Sequence, residues 1–83
     1  MVDVELIEKI LMRGAGLVGM KKMEEISKKS GIDMSSTSGK LKLLLPEEEV
    51  LKSLVKGLLS EGGVIARIAV KNMSKQYNFE MPD

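Results

Sequence analysis

The chain has 83 residues, 43% of them hydrophobic, which is enough for one domain with an apolar core. Its 13 Lys and Arg residues against 12 Asp and Glu give a formal net charge of +1, so the chain as a whole has no strong attraction for nucleic acid or anionic membranes. Because Cys and His are both absent, disulfides, zinc–thiolate sites and reactions that need an imidazole base are excluded.

The first third of the chain has two helical patterns. Hydrophobic residues recur at helical spacing over 4–12, and Asp3 stands where an N-cap is expected. A second helix is predicted over 17–29, where glutamates precede lysines by four residues and so favour helix formation. Gly31 follows as the expected C-cap.

The composition changes in the middle of the chain. Residues 33–46 form a polar linker with a short apolar run at 40–45, which fits either a strand or a helical turn. Pro46 followed by three glutamates predicts a helix start, because proline suits the first turn and acidic side chains favour the positive end of the helix dipole. This helix is expected over 47–60, and another over 64–77 after the break Ser-Glu-Gly-Gly.

The sequence lacks the features of a membrane span or a secretory signal. The N-terminal residues are acidic, and the longest weakly charged stretch, 10–20, is interrupted by Arg13 and is too short to cross a bilayer. A soluble, cytoplasmic protein is therefore expected.

The two halves of the chain resemble each other. When residues 4–34 are placed over 51–81, an offset of 47, small residues recur at the helix breaks. Four of them mark the expected bends: Gly16, Gly19, Gly63 and Ala66. Each half then reads as helix, break, helix, and such a unit buries its apolar face only against a second unit. We therefore predict one all-α domain over 1–83, a small four-helix bundle of two hairpins, whether or not the repeat is a true duplication.

Residues 14–19 have the Gly-x-Gly-x-x-Gly spacing of a dinucleotide-binding turn. That motif requires a buried strand before it, whereas the preceding residues have helical periodicity and carry charges. In the repeat, Gly14 aligns with Glu61, and only positions 16 and 19 stay small. The stretch is therefore interpreted as a bend between packed helices, and Gly16→Val is expected to damage the fold.

Residues 26–44 resemble the helix-turn-helix core of bacterial and archaeal regulators. Six positions match the family pattern: Ile26, Ser27, Gly31, Ile32, Ser36 and Leu41. The sequence departs from that pattern at Thr37, where a buried valine is usual, and at Gly39, inside the second helix. The resemblance implies that residues 35–42 enter the major groove of DNA as a recognition helix. The DNA-contacting residues in this interpretation are Ser35, Ser36, Lys40 and Lys42.

The favoured interpretation is a non-enzymatic interaction module without a cofactor or metal. The three glutamates of Glu47–Glu49 point in different directions around a helix, so they compensate its dipole and do not converge on one ion. The helix over 47–60 has an apolar stripe broader than one neighbouring helix can cover, and we expect a second copy of the chain to bury the surplus.

Six residues are expected at this interface: Leu51, Leu54, Val55 and Leu58, followed by Met20 and Met23. One alternative is DNA binding through residues 26–44. Another is a lipid or other hydrophobic ligand held between the two hairpins, an arrangement that resembles saposin-like proteins in outline but without their disulfides.

Overall fold

The computed structural model describes residues 3–33 and 41–81, and within them the chain is mostly helical. These residues form three helices and one two-stranded antiparallel sheet. In chain order the elements are α1 (Val4–Val18), α2 (Met20–Lys29), β1 (Ile32–Asp33), β2 (Lys42–Leu43) and α3 (Glu47–Tyr77). The expectation of an all-α protein is confirmed in its main feature, with a minimal sheet added. None of the described helices combines the length and the apolar character that crossing a bilayer requires.

Helix α1 begins where the sequence predicts but ends later. The side chain of Asp3 accepts a hydrogen bond from the backbone N–H of Leu6 at 2.9 Å and so caps the helix. The helix continues through Gly16 to Val18, and the backbone leaves helical geometry at Gly19, with φ 92° and ψ 155°. The predicted bend at Gly16 is therefore wrong, because glycine permits a bend but does not impose one while helical hydrogen bonding continues.

A short hairpin follows α2. Gly31 has a positive φ of 92°, a conformation that favours glycine, and turns the chain into β1. The two strands pair antiparallel, with Ile32 opposite Leu43. Of the two possibilities for 40–45, the strand is observed, as β2. The neighbouring linker residues 34–40 lie outside the described residues.

Helix α3 is interrupted once. Pro46 immediately precedes its first residue, Glu47, as the sequence predicts. At Gly63 the backbone has φ 65° and ψ −146°, a region essentially restricted to glycine. The break expected between two helical segments is therefore present, at Gly63, and we call the segments on its two sides α3a (47–62) and α3b (64–77).

The core lies between α1, α2 and both segments of α3. Its largest fully buried apolar side chains are Ile7, Ile10, Leu54, Leu58 and Met73. Ala66, predicted as a bend residue, is fully buried on α3b. Burial of each large aliphatic side chain stabilises the fold by about 1.5–3 kcal/mol relative to exposure.

The buried positions of α1 recur in α3a. The corresponding buried residues are Leu6 and Val50, Ile7 and Leu51, Ile10 and Leu54, and Gly14 and Leu58. In each of these pairs the residue of α3a lies 44 positions after the residue of α1. The two glycine breaks, Gly19 and Gly63, are also 44 positions apart, since 63 − 19 = 44. The offset of 47 pairs Gly16 with Gly63, although only Gly63 interrupts a helix. The spacing of 44 thus relates α1 to α3a and Gly19 to Gly63, but it does not extend to the burial of α2, where the counterparts of the buried Met23 and Ser27 are the exposed Arg67 and Lys71.

Segment α3a runs antiparallel to α2. A Cβ built on Gly57 would lie only 2.6 Å from Cγ2 of Ile26, so the two helices approach each other closely at this glycine. One turn further along α3a, the Glu61 carboxylate accepts a hydrogen bond from Nζ of Lys22 at 2.8 Å.

Segment α3b runs antiparallel to α1. Near its start, a Cβ built on Gly62 would lie 3.2 Å from Cγ1 of Val18, so the breaks at Gly19 and Gly63 are neighbours in space. At the other end of α3b, Nζ of Lys9 lies 5.4 Å from the centre of the Tyr77 ring. This cation–π contact joins α1 to α3b.

Candidate functional site

Most residues that the sequence suggested for an interface belong to the core instead. Four from α3a and one from α2 are buried: Leu51, Leu54, Val55, Leu58 and Met23. Met20 alone among the six is exposed, at 78%. The broad stripe of α3a leaves no surplus because α1 and α2 both pack against α3, so two helices cover it rather than one.

The largest unpartnered aliphatic side chains of α3 lie on α3b. Val64 and Ile65 are each 73% exposed, and Ile68 is 58% exposed. We call these three residues the aliphatic ridge. Ile65 and Ile68 lie one and four positions after Val64, so the three side chains share one side of the helix. Ala66, Val70 and Met73 occupy the opposite, buried side.

Composition does not distinguish the ridge from the core-facing side of α3b. Val64, Ile65 and Ile68 are aliphatic, like the buried Val70 of the same segment. The smaller Ala66 faces the core, and the backbone at Gly63 sets the rotation of the segment that follows. Which side of α3b is covered is therefore a property of the packed structure.

The charges of α3b, the segment that carries the ridge, have one sign. Residues 64–77 include Arg67, Lys71 and Lys75 but no Asp or Glu, so this segment has a formal charge of +3. All three basic residues are exposed. The ridge is thus an apolar strip flanked by cations.

A second apolar surface lies between α1 and α2. It is an open groove of about 430 Å³, which we call the methionine groove. Its lining consists of Leu11, Met12, Ala15, Met20, Met23, Glu24, Ser27 and Leu41. Met12 and Met20 are each 78% exposed at its edges, and Glu24 is the one charged residue among the described residues that line it.

A polar cleft of about 260 Å³ lies on the other side of α2, against α3a. The Lys22–Glu61 ion pair borders it, with side chains 56% and 41% exposed. The hydrogen bond and the opposite charge of Glu61 raise the pKa of Lys22, and the same two effects of Lys22 lower the pKa of Glu61. In the part of the chain that the structure describes, no three His, Cys, Asp or Glu side chains are grouped so that they could hold a metal ion.

The recognition helix implied by the helix-turn-helix resemblance does not extend to Lys42. Lys42 is exposed but lies in strand β2, paired with Asp33 of β1, because the chain turns at Gly31 into a hairpin. The other residues of that interpretation, Ser35, Ser36 and Lys40, fall outside the described residues.

Among the described residues, the surfaces of interest are therefore the aliphatic ridge, the methionine groove and the polar cleft. The first two are apolar and lie on different elements, and the third is bordered by an ion pair. Comparison of the chain with protein-family models, curated proteins and solved structures finds no match.

Proposed function

We propose that the protein is a non-enzymatic helical interaction module that acts in the cytoplasm and associates with further copies of itself. The observation that carries this proposal is the aliphatic ridge: Val64 and Ile65 are 73% exposed and Ile68 is 58% exposed on one side of α3b. Contiguous apolar surface on a small domain is a mark of an interaction site. Self-association is the simplest interaction that such a surface can support, because every copy of the chain carries all the surfaces that the contact needs.

We also infer that the domain consists of two related arms, each a helix, a glycine break and a second helix, arranged as a four-helix unit around one core. The recurrence of the buried positions of α1 in α3a, and of the glycine breaks at the same spacing of 44, supports this inference. In this view α1 corresponds to α3a and α2 to α3b, and the linker over 33–46 joins the arms. Two such arms bury their apolar faces together, which neither does alone.

Sedimentation velocity over a concentration series tests the proposed self-association. We expect the wild-type chain to increase in mass with concentration and the double variant Ile65→Ser/Ile68→Ser to remain a monomer, because the substitutions remove the apolar area that association would bury. Leu44→Ser is the matched control, since Leu44 is an exposed aliphatic residue, at 63%, that lies outside the ridge. A wild-type chain that stays monomeric at high micromolar concentration would contradict the proposal.

A further inference from the structure

We propose that the aliphatic ridge of one copy docks into the methionine groove of a second copy, so that the interface is head-to-tail and not ridge against ridge. This inference rests on the proposed self-association and names the two surfaces that meet. It is based on two features of the same chain: an exposed apolar strip and an apolar groove.

The chemistry of the two surfaces is complementary. The ridge presents three branched aliphatic side chains in one strip along α3b. The groove is lined mainly by apolar side chains, of which Met12 and Met20 are largely exposed. Methionine side chains are unbranched and flexible, so they adapt to the shape of an inserted aliphatic residue. Amphipathic helices commonly bind in grooves of this kind.

Charge favours the groove over a second ridge as the partner. Two ridges in contact would bring together the cations of two α3b segments, each with a formal charge of +3, and like charges at an interface disfavour association. The groove instead offers the carboxylate of Glu24, the one charged group among the described residues that line it. A ridge in the groove therefore places Arg67 and Lys71 near a charge of opposite sign.

The positions of the two surfaces determine the kind of assembly. The ridge lies on α3b, whereas the groove lies between α1 and α2, with Leu41 at its edge. After one ridge–groove contact forms, each copy still has one unused surface. A dimer with two reciprocal contacts, a closed ring and an open chain each use these remaining surfaces.

A complementation experiment tests this arrangement. The ridge variant Ile65→Ser/Ile68→Ser keeps its groove, and the groove variant Met12→Ser/Met20→Ser keeps its ridge; all four side chains are exposed, so folding is preserved. We expect each variant alone to be monomeric at concentrations where the wild type associates. An equimolar mixture should form a 1:1 heterodimer and nothing larger, because one intact ridge meets one intact groove.

A ridge-against-ridge interface gives the opposite pattern, which would overturn the inference. The groove variant would associate alone, and mixing it with the ridge variant would yield no heterodimer. In that case the proposed self-association stands and only the head-to-tail interface fails. A monomeric wild type that binds phosphatidylserine vesicles through the ridge would overturn both proposals, since the cationic ridge would then serve an anionic membrane.

The charge argument has its own matched pair of variants. Glu24→Lys places a cation in the groove, and we expect association to weaken by about tenfold or more. Glu25→Lys makes the same change at the next residue, which borders the polar cleft on the other side of α2, and should leave association unchanged. Equal weakening by both substitutions would show a general charge effect and overturn the assignment of the groove.

Discussion

Gly14 and Gly16 lie in the same helix two residues apart, but their surroundings differ. A Cβ built on Gly14 would contact Sδ of Met23 and lie 2.9 Å from Cδ2 of Leu58, so α2 and α3a both approach α1 at this position. A Cβ on Gly16 would have nothing within 4 Å. A side chain at the first position would therefore have to displace the ends of two buried side chains, Met23 and Leu58, whereas one at the second would meet open space.

Substitution by valine separates the two positions. Gly14→Val should lower the free energy of unfolding by about 1–3 kcal/mol, because it overpacks the contact with α2 and α3a. Gly16→Val should change it by less than about 0.5 kcal/mol, since the small helix-propensity gain over glycine is the main effect at an exposed site. Urea unfolding followed by circular dichroism measures both. A large loss at Gly16 would restore this residue as the structural bend that the sequence suggested.

At the scale of the elements, the two helix breaks have the same physical origin. Gly19 (φ 92°, ψ 155°) and Gly63 (φ 65°, ψ −146°) both have positive φ with extended ψ, where a Cβ is strongly disfavoured. Neither position is crowded, because a Cβ built on either glycine would have no neighbour within 4 Å. Glycine is therefore favoured at these two positions because of its backbone conformation and not because of crowding.

Alanine at a break should therefore destabilise the fold. Gly19→Ala and Gly63→Ala are each expected to lower the free energy of unfolding by about 1–3 kcal/mol. Alanine favours continuing the helix through Gly63, which would rotate Ala66 and Val70 away from the core. Gly16→Ala, inside a regular helix, is the control and should raise stability by up to about 1 kcal/mol. If all three variants unfold at the same urea concentration, the strained-backbone explanation does not hold.

These elements also show which parts of the fold could be predicted from the sequence. The starts of α1 and α3 were predictable because Asp3 and Pro46 act through local chemistry that does not depend on the rest of the fold, whereas α2 begins at Met20 and not at 17 as expected. The position of the first break was not, since Gly14, Gly16 and Gly19 are the same residue type and differ only in tertiary context. The sequence does not distinguish a strand from a helical turn at 40–45, because strands of two residues have no periodicity to detect.

The candidate interface was misplaced for a related reason. The apolar stripes of α3a and α3b are similar in composition, so the sequence alone does not say which of them other helices cover. The structure covers α3a with two helices and leaves Val64, Ile65 and Ile68 of α3b exposed. Predicting this requires the angle at Gly63, which is a property of the packed molecule.

At the scale of the whole molecule, one exposed ion pair links α2 to α3a. The pKa of Glu61 is lowered because Lys22 donates a hydrogen bond to it and attracts its charge, so ionisation of Glu61 favours the folded state. The pKa of Lys22 is raised by the same partner. The stabilisation from this pair is therefore present across neutral pH. It is lost as the pH falls through the folded-state pKa of Glu61 or rises through that of Lys22.

The pH dependence of unfolding tests this linkage. Glu61→Gln should be less stable than the wild type at neutral pH, by a small amount because both side chains are about half exposed. The difference should disappear in acid, below the folded-state pKa of Glu61, which lies under its ordinary value of 4.5. Glu80→Gln, at an exposed position beyond α3, is the control. A difference that is the same at acidic and neutral pH would mean that the carboxylate charge is not its cause.

The contact between Lys9 and Tyr77 also provides an optical probe. The chain contains one tyrosine and no tryptophan, so its near-ultraviolet absorbance and intrinsic emission come essentially from Tyr77. Its ring lies where α3b meets α1, with the Lys9 ammonium 5.4 Å from its centre. Tyrosine emission therefore reports the docking of one helix end, whereas far-ultraviolet circular dichroism reports all helices together. Coincident transitions by the two signals would show that α3b unfolds with the rest of the domain, and an earlier change in emission would identify it as the first segment to separate.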